Sequence, residues 1–373
     1  MSAITVRPVQ SKGDTTRFIK FLWKVYENSP YWVPPLLMDR RKLMDTRKNP
    51  FYKHAAAEFF IAERDGEMVG RIAAIVNENH NKEHGDKVGF FGFFESVDDA
   101  EVAGALLNKA KEFLRSKGMS VMRGPANPSV NDEYGLLVDG FDFYPAVLMT
   151  YNPPYYAKLL EGFGLRKAKD LYAYGMTQDT VGAERLERAN RIVRERHQLE
   201  FRTLDMKNFD RDVGLIKEIF NKAWAKNWGA VPMTNDEIDA MAKDLKPIVV
   251  PDLVIFAETK GKTVGFALSL PDINRALRFN KKGRLLPGLF YLTTKKKEIR
   301  GVRVIVLGVL PEYLNSGAPG VLFYETQVRA KKLGYEYGEA SWILEDNLRM
   351  TRAAEKMNGR IEKTYRIYDI PIA

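Results

Sequence analysis

The residues best suited to chemistry lie in VIVLGVLPEYLNSGAPGVLFYETQVRAKKLGY, residues 304–335. An apolar run ends at Pro311, a loop holds Asn315, Ser316, Gly317 and Gly320, and a helical pattern begins at once. Glycines let backbone N–H groups approach a ligand, and a helix N-terminus adds partial positive charge, so this junction suits a phosphate. Gly308 inside the run predicts a bulge, where amides near Leu307 and Val309 leave the ladder and can bind something extended. A short G-x-x-G also occurs in ordinary loops, so spacing alone leaves both readings open.

A second segment, RGPANPSVNDEYGLLVDGFDFYPAVLMTYNPPYY at 123–156, combines prolines and glycines with four acidic residues and five tyrosines. It is too apolar for disorder and too long for a plain connection. A carboxylate with a raised pKa can take a proton from an ammonium group. Asp132, Glu133 and Asp139 are the candidates, with Asn131 adjacent. Tyr134, Tyr151 and Tyr155, with Asp139, could contact a substrate. The alternative is that these groups cap turns.

Other residue types exclude chemistry. Cysteine is absent, so neither a disulfide framework nor a thiolate nucleophile is available. His80 and His84 have i, i+4 spacing, but NENHNKEHGDK is polar enough to read as a solvated loop, and no metal is expected. The net charge of +10 admits nucleic acid, an anionic membrane or a polyanionic small molecule as partner. The basic residues are dispersed apart from Lys281, Lys282, Arg284 and Lys295, Lys296 and Lys297, without interleaved aromatics, which disfavours nucleic acid. No signal-like or membrane-spanning apolar run is present, so the expectation is a cytoplasmic chain with peripheral contact to an anionic inner membrane. Trp23, Trp32, Trp224 and Trp228 read first as core, and otherwise as an apolar channel wall.

The elements that must position these residues occur twice. IAERDGEMVG at 61–70 recurs as FAETKGKTVG at 256–265, an offset of 195, and each copy reads as a hairpin. Gly92, Gly104, Gly118 and Asn131 recur as Gly308, Gly320, Gly334 and Asn347 at an offset of 216. In each half the expected order is strand, helix, hairpin, strand, helix, strand, helix, strand. Asp98 with Glu101 predicts a capping box on a helix with Val102, Leu106, Ala110, Phe113 and Leu114 on one face. The fold class is therefore α/β, with two tandem domains, each a mixed central sheet flanked by helices: 1–178, a charged connecting helix at 179–198, and 199–373. Where the second half has Leu314, Asn315 and Gly317, the first has Asp98, Asp99 and Glu101. Carboxylates there repel a pyrophosphate, so the first half is expected not to bind one.

The junction with Pro311, Glu312, Tyr313 and Gly317, and the downstream phrase EDNLRMTRAAEKMNGR, resemble the acyl-CoA-binding core of the GNAT superfamily of N-acyltransferases. That resemblance implies that 315–320 cradles the CoA pyrophosphate, that a splay beside Leu307 and Val309 holds pantetheine, and that Asn347 contacts the cofactor. Leu314 stands where the family usually carries a basic residue, Pro319 where it carries a small one, and Ala354 where a Tyr acid is frequent. The 123–156 segment, with Asn131, Glu133 and the run 135–142, and the strand beginning Lys169, Asp170 and Leu171 resemble the bacterial ceramide-synthase-type branch. The implied activity is transfer of an acyl group from acyl-CoA or acetyl-CoA to a primary amine, a small molecule or a sphingoid-type lipid. The departures at 314 and 354 motivate the alternative, a non-catalytic acyl-CoA sensor or scaffold.

Overall fold

The computed structural model describes residues 3–179 and 183–372, which divide between two compact units. The first gathers Met1–Leu171, Ala276–Thr294 and Lys363–Ala373; the second gathers Tyr172–Arg275 and Lys295–Glu362.

In the first unit, strands Thr5–Pro8, Ala55–Arg64, Glu67–Asn77, Val88–Ser96 and Val121–Gly124 lie side by side. The ladder is antiparallel except for its last pair, where Val88 faces Val121 in parallel. The C-terminal strand then pairs antiparallel with that edge, Tyr368 opposite Gly124 and Pro371 opposite Val121. The helix Ala100–Ser116 buries Val102, Leu106, Leu107, Ala110 and Leu114, the apolar face its periodicity predicts. Each buried leucine contributes about 1.5–3 kcal/mol. Asp99, not Asp98, caps this helix: its carboxylate accepts from the amides of Glu101 and Val102.

The second unit repeats the plan. Strands Leu199–Thr203, Val254–Thr259, Lys262–Pro271 and Gly301–Val309 form an antiparallel run, and Tyr337–Leu344 adds in parallel. Helices Phe209–Trp224, Ala318–Lys332 and Glu184–His197 belong to it. The last falls in the stretch 179–198 and is grouped within the second unit; residues 180–182 of that stretch lie outside the described residues.

The hairpins recur as read. Asp65 and Gly66 have φ of 53° and 79°, Lys260 and Gly261 have 51° and 75°, the paired left-handed conformations of a two-residue turn. The following strand does not recur at the expected offset. Gly308 lies opposite Phe266, whose counterpart Arg71 lies opposite Glu95, so the match is Gly308 with Glu95 (308 − 95 = 213). Gly92 lies opposite Ala73, the counterpart of Leu268, which faces Val306. The cause is a bulge in different places: between Gly92 and Glu95 in one copy, at Ile305 in the other.

The stretch around His80 is not a solvated loop. It forms the helix Glu78–His84 with His80 buried, and burial pushes that imidazole down to about 4. Among the described residues no helix is long and apolar enough to cross a membrane.

Candidate functional site

In the second unit the parallel ladder between Gly301–Val309 and Tyr337–Leu344 ends at Val304 opposite Ala340. Beyond it, Gly301–Val309 stays paired on its other side only, to Val309 opposite Gly265. The Leu310 amide donates to Val264 O at 2.8 Å, so by the two-residue period the amides of Leu307 and Val309 point away from that neighbour, toward the open side. Gly308 is closely covered instead: a Cβ there would lie 2.4 Å from the Trp224 ring.

The loop that follows leads into the helix Ala318–Lys332 with no side-chain cap. Ser316 Oγ accepts from the Ala318 amide at 3.1 Å, and Pro319 has no N–H to offer. Among the described residues no protein acceptor takes the amides of Gly317 or Gly320. Gly317 has φ of 84°, and a Cβ on it would sit 3.1 Å from both Val193 methyls; Gly320 lies in the first helical turn with open space around it. Asn315 Oδ1 accepts from Arg349 Nη2 at 3.1 Å, and this guanidinium brings to the loop the positive charge that Leu314 lacks. The Asn347 side chain caps the helix Leu348–Lys356 by accepting from the Met350 amide at 3.3 Å. The arrangement is a helix start with the Gly317 and Gly320 amides free and a guanidinium nearby, which is what a phosphate needs.

The first unit closes both features. Its helix start is occupied by Asp99, whose carboxylate also pairs with Arg64 at 2.8 Å. Burial favours the neutral acid, but Arg64 and the two helix amides outweigh it and hold Asp99 below its ordinary value. At the bulge, Asn127 Oδ1 accepts from the Phe93 amide, and a Cβ on Gly92 would lie 1.7 Å from Ala126 O. The short strand Ala126–Asn127 therefore fills the ground that is open beside Leu307.

Within 123–156 the expected carboxylate base is not formed as predicted. Both terminal nitrogens of Arg40 bond Glu133, and Asn127 Nδ2 donates to it at 3.1 Å. Burial would raise the Glu133 carboxyl, yet Arg40 and Asn127 lower it below its ordinary value, the wrong direction for a base. Asp132 accepts from Ser129 Oγ at 2.6 Å, and Ser129 Oγ accepts from the Asn131 amide at 3.1 Å, a turn arrangement. Asp139 is exposed opposite Thr364, and Tyr134 is buried.

The carboxylate with a raised pKa is Glu95, which the sequence reading missed. It sits 3.3 Å from Arg71 and accepts from the hydroxyls of Tyr26 at 3.0 Å and Tyr156 at 2.7 Å. Burial pushes it up against the pull of Arg71 and of both tyrosines. Tyr151 and Tyr155 are brought to the same place: Tyr151 O lies 2.9 Å from the Tyr26 hydroxyl and shares its single proton with Glu95, and Tyr155 donates to Ser96 O at 2.8 Å. Aromatic rings continue outward from it, with Tyr26 stacked on Trp32 at 4.9 Å and Trp23 edge-on to Trp32 at 5.4 Å. A lone Glu closing an apolar run was the available signal.

No protein-family model matches the chain. It is 36% identical over 376 residues to the bacterial ceramide synthase of Caulobacter vibrioides (strain NA1000 / CB15N), covering 98% of this chain and 97% of that one. It is 32% identical over 372 residues to Protein YghO of Escherichia coli (strain K12), covering 98% and 94%. Among solved structures, a tandem GNAT protein from the clavulanic acid biosynthesis pathway matches 100% of this chain and 99% of its own, with a TM-score of 0.57 at 10% identity, a likeness of fold. In fold the chain is like tandem GNAT proteins; it is an acyltransferase and belongs to the family of the bacterial ceramide synthase.

Proposed function

We propose that this acyltransferase moves an acyl group from acyl-CoA to the primary amine of a long-chain amino alcohol. The observation that carries the donor assignment is the contrast between helix starts: amides free at Gly317 and Gly320 in one unit, filled by Asp99 in the other. Gly317, Gly320 and Arg349 would hold the pyrophosphate, Ser316 would order the loop, and Leu307 and Val309 would line the pantetheine. The amine nitrogen attacks the thioester carbonyl, the C–S bond breaks, and CoA leaves as a thiolate that takes up a proton. No residue of the chain is acylated. A Leu307 or Val309 amide would polarise the carbonyl as negative charge develops on its oxygen.

The acceptor is assigned to the first unit. Its aromatic side chains Trp23, Trp32, Tyr26 and Tyr151 suit an amphiphile, and the chemistry of the similar Caulobacter protein's name supports a sphingoid-type amine. Glu95 replaces Asp132 and Glu133 as the proton acceptor, because a raised pKa is what deprotonating an ammonium requires.

The test measures CoA thiol release and N-acyl product with a long-chain acyl-CoA and sphinganine, against spermidine and lysine as amines. Product with sphinganine alone supports the reading. Turnover with the polar amines and none with sphinganine overturns the acceptor class. Full activity in Glu95→Gln, with Glu133→Gln inactive but folded, overturns the base assignment.

A further inference from the structure

The segment 274–297, NRALRFNKKGRLLPGLFYLTTKKK, holds eight basic residues and no acidic one. Its centre is the helix Leu285–Thr294 of the first unit. Of the eleven large apolar side chains exposed among the described residues, four are on this helix: Leu285, Leu286, Leu289 and Phe290, with Leu286 77% and Phe290 60% exposed. Their i, i+1, i+4, i+5 spacing puts them on one face. The two threonines that follow turn their hydroxyls inward: Thr293 and Thr294 Oγ1 each donate to Phe290 O at 2.8 Å.

The turn that leads into the helix is anchored. Trp23 Nε1 donates to Lys281 O at 2.6 Å, and the Leu37 amide to Gly283 O at 2.9 Å. A Cβ on Gly283 would lie 2.3 Å from Pro35 O, and one on Gly288 would lie 3.1 Å from Leu36 and Asn280. The helix is thus held close to the body of its unit while its apolar side chains face solvent. Scattered exposed leucines need no explanation, but four on one short helix do.

We propose that this helix is a docking element for an anionic lipid bilayer, entering the interface with Leu285, Leu286, Leu289 and Phe290 while the lysines and arginine beside it meet the headgroups. Lys281, Lys282 and Arg284, all exposed, precede the helix within the same unit. An apolar face with adjoining basic residues is the pattern of an interfacial helix. Charge decides among occupants: a second copy would oppose its own basic segment, and a nucleic acid would have no use for four apolar side chains. The inference does not rest on the acyl-CoA assignment, and its failure leaves that assignment standing.

The full chain is floated with vesicles of phosphatidylcholine alone or with about one-third phosphatidylglycerol. Binding is expected to the anionic vesicles and to fall in high salt. Lys281→Gln with Lys282→Gln and Arg284→Gln should weaken it by about fivefold per charge removed. Leu286→Ser with Phe290→Ser should weaken it at least about tenfold with an unchanged melting temperature, since both side chains are exposed. A Phe290→Trp variant should shift its emission to the blue on vesicle addition. No binding to anionic vesicles at low salt overturns the proposal, as does equal binding by the Leu286→Ser, Phe290→Ser variant. Duplex DNA binding that matches vesicle binding and ignores the apolar variant, or a dimer lost in that variant with no vesicle affinity, overturns it too.

Discussion

Gly317→Ala and Gly320→Ala differ by three positions and should behave in opposite ways. At Gly317, φ of 84° is left-handed, and an alanine there costs about 1–2 kcal/mol. The new methyl would also meet both Val193 methyls at 3.1 Å, so the Glu184–His197 helix must shift by a few tenths of an ångström. Gly317→Ala should therefore destabilise the second unit by about 2 kcal/mol. Gly320 has helical geometry and nothing within 4 Å, so alanine should stabilise the free protein by up to about 1 kcal/mol. If the Gly320 amide holds a phosphate oxygen, its new methyl crowds that oxygen and one charge-assisted bond is lost. That is about 1.5–3 kcal/mol, or about 10- to 150-fold in Kd. Urea unfolding and calorimetric titration of an acyl-CoA measure the two quantities separately. A Gly320→Ala protein that is more stable and binds acyl-CoA unchanged would refute the phosphate role of the helix start. A Gly317→Ala protein as stable as the parent would refute the strain argument.

Other substitutions test neighbouring parts. Arg349→Ala should raise KM for acyl-CoA about tenfold with kcat retained, read from initial rates, because one phosphate-facing charge is removed while the Ala318–Lys332 helix start stays intact. Asp99→Ala should lower the melting temperature by the loss of a cap, about 0.5–2 kcal/mol, without changing acyl-CoA affinity. Arg71→Met leaves Glu95 buried without its cation and should cost about 3–5 kcal/mol. The sign of its pH dependence follows from the direction of the Glu95 shift. The folded state holds that proton more tightly than the unfolded chain, so the loss is small near pH 4 and grows as pH rises above the unfolded value of about 4.3. Unfolding curves from pH 4 to 8 check it, and a flat difference would show that Glu95 is not the group responding.

The hairpins were legible because their turns demand left-handed residues, and Asp65-Gly66 and Lys260-Gly261 advertise that in any alignment. The Ala100–Ser116 helix was legible from its period, although two adjacent aspartates hid which one caps it. Bulges were not legible in register. Gly92 and Gly308 invited an equal spacing, while the ladder sets Glu95 against Gly308 because the extra residue falls in different places. Nor could sequence show that Arg40, 93 positions before Glu133, neutralises it, or that Arg349 reaches Asn315 across 34 positions. Those contacts depend on how distant segments pack. Adjacent carboxylates looked reactive only while their counter-ions were unknown.

The C-terminal strand has a consequence for how the protein is made. Tyr368 pairs with Gly124, and Arg366 grips Asp170 at 2.8 Å, so the unit begun first is finished by residues that follow most of the second unit. From Leu171 to Lys363 the ribosome adds 192 residues (363 − 171), about 10–40 s at ordinary rates of synthesis. Through that interval the nascent chain carries an open strand edge at Val121–Gly124, a template for unwanted pairing. Arrival of the Arg360–Pro371 strand closes it, so a chain that stops short of this strand is left open in the unit that was made first.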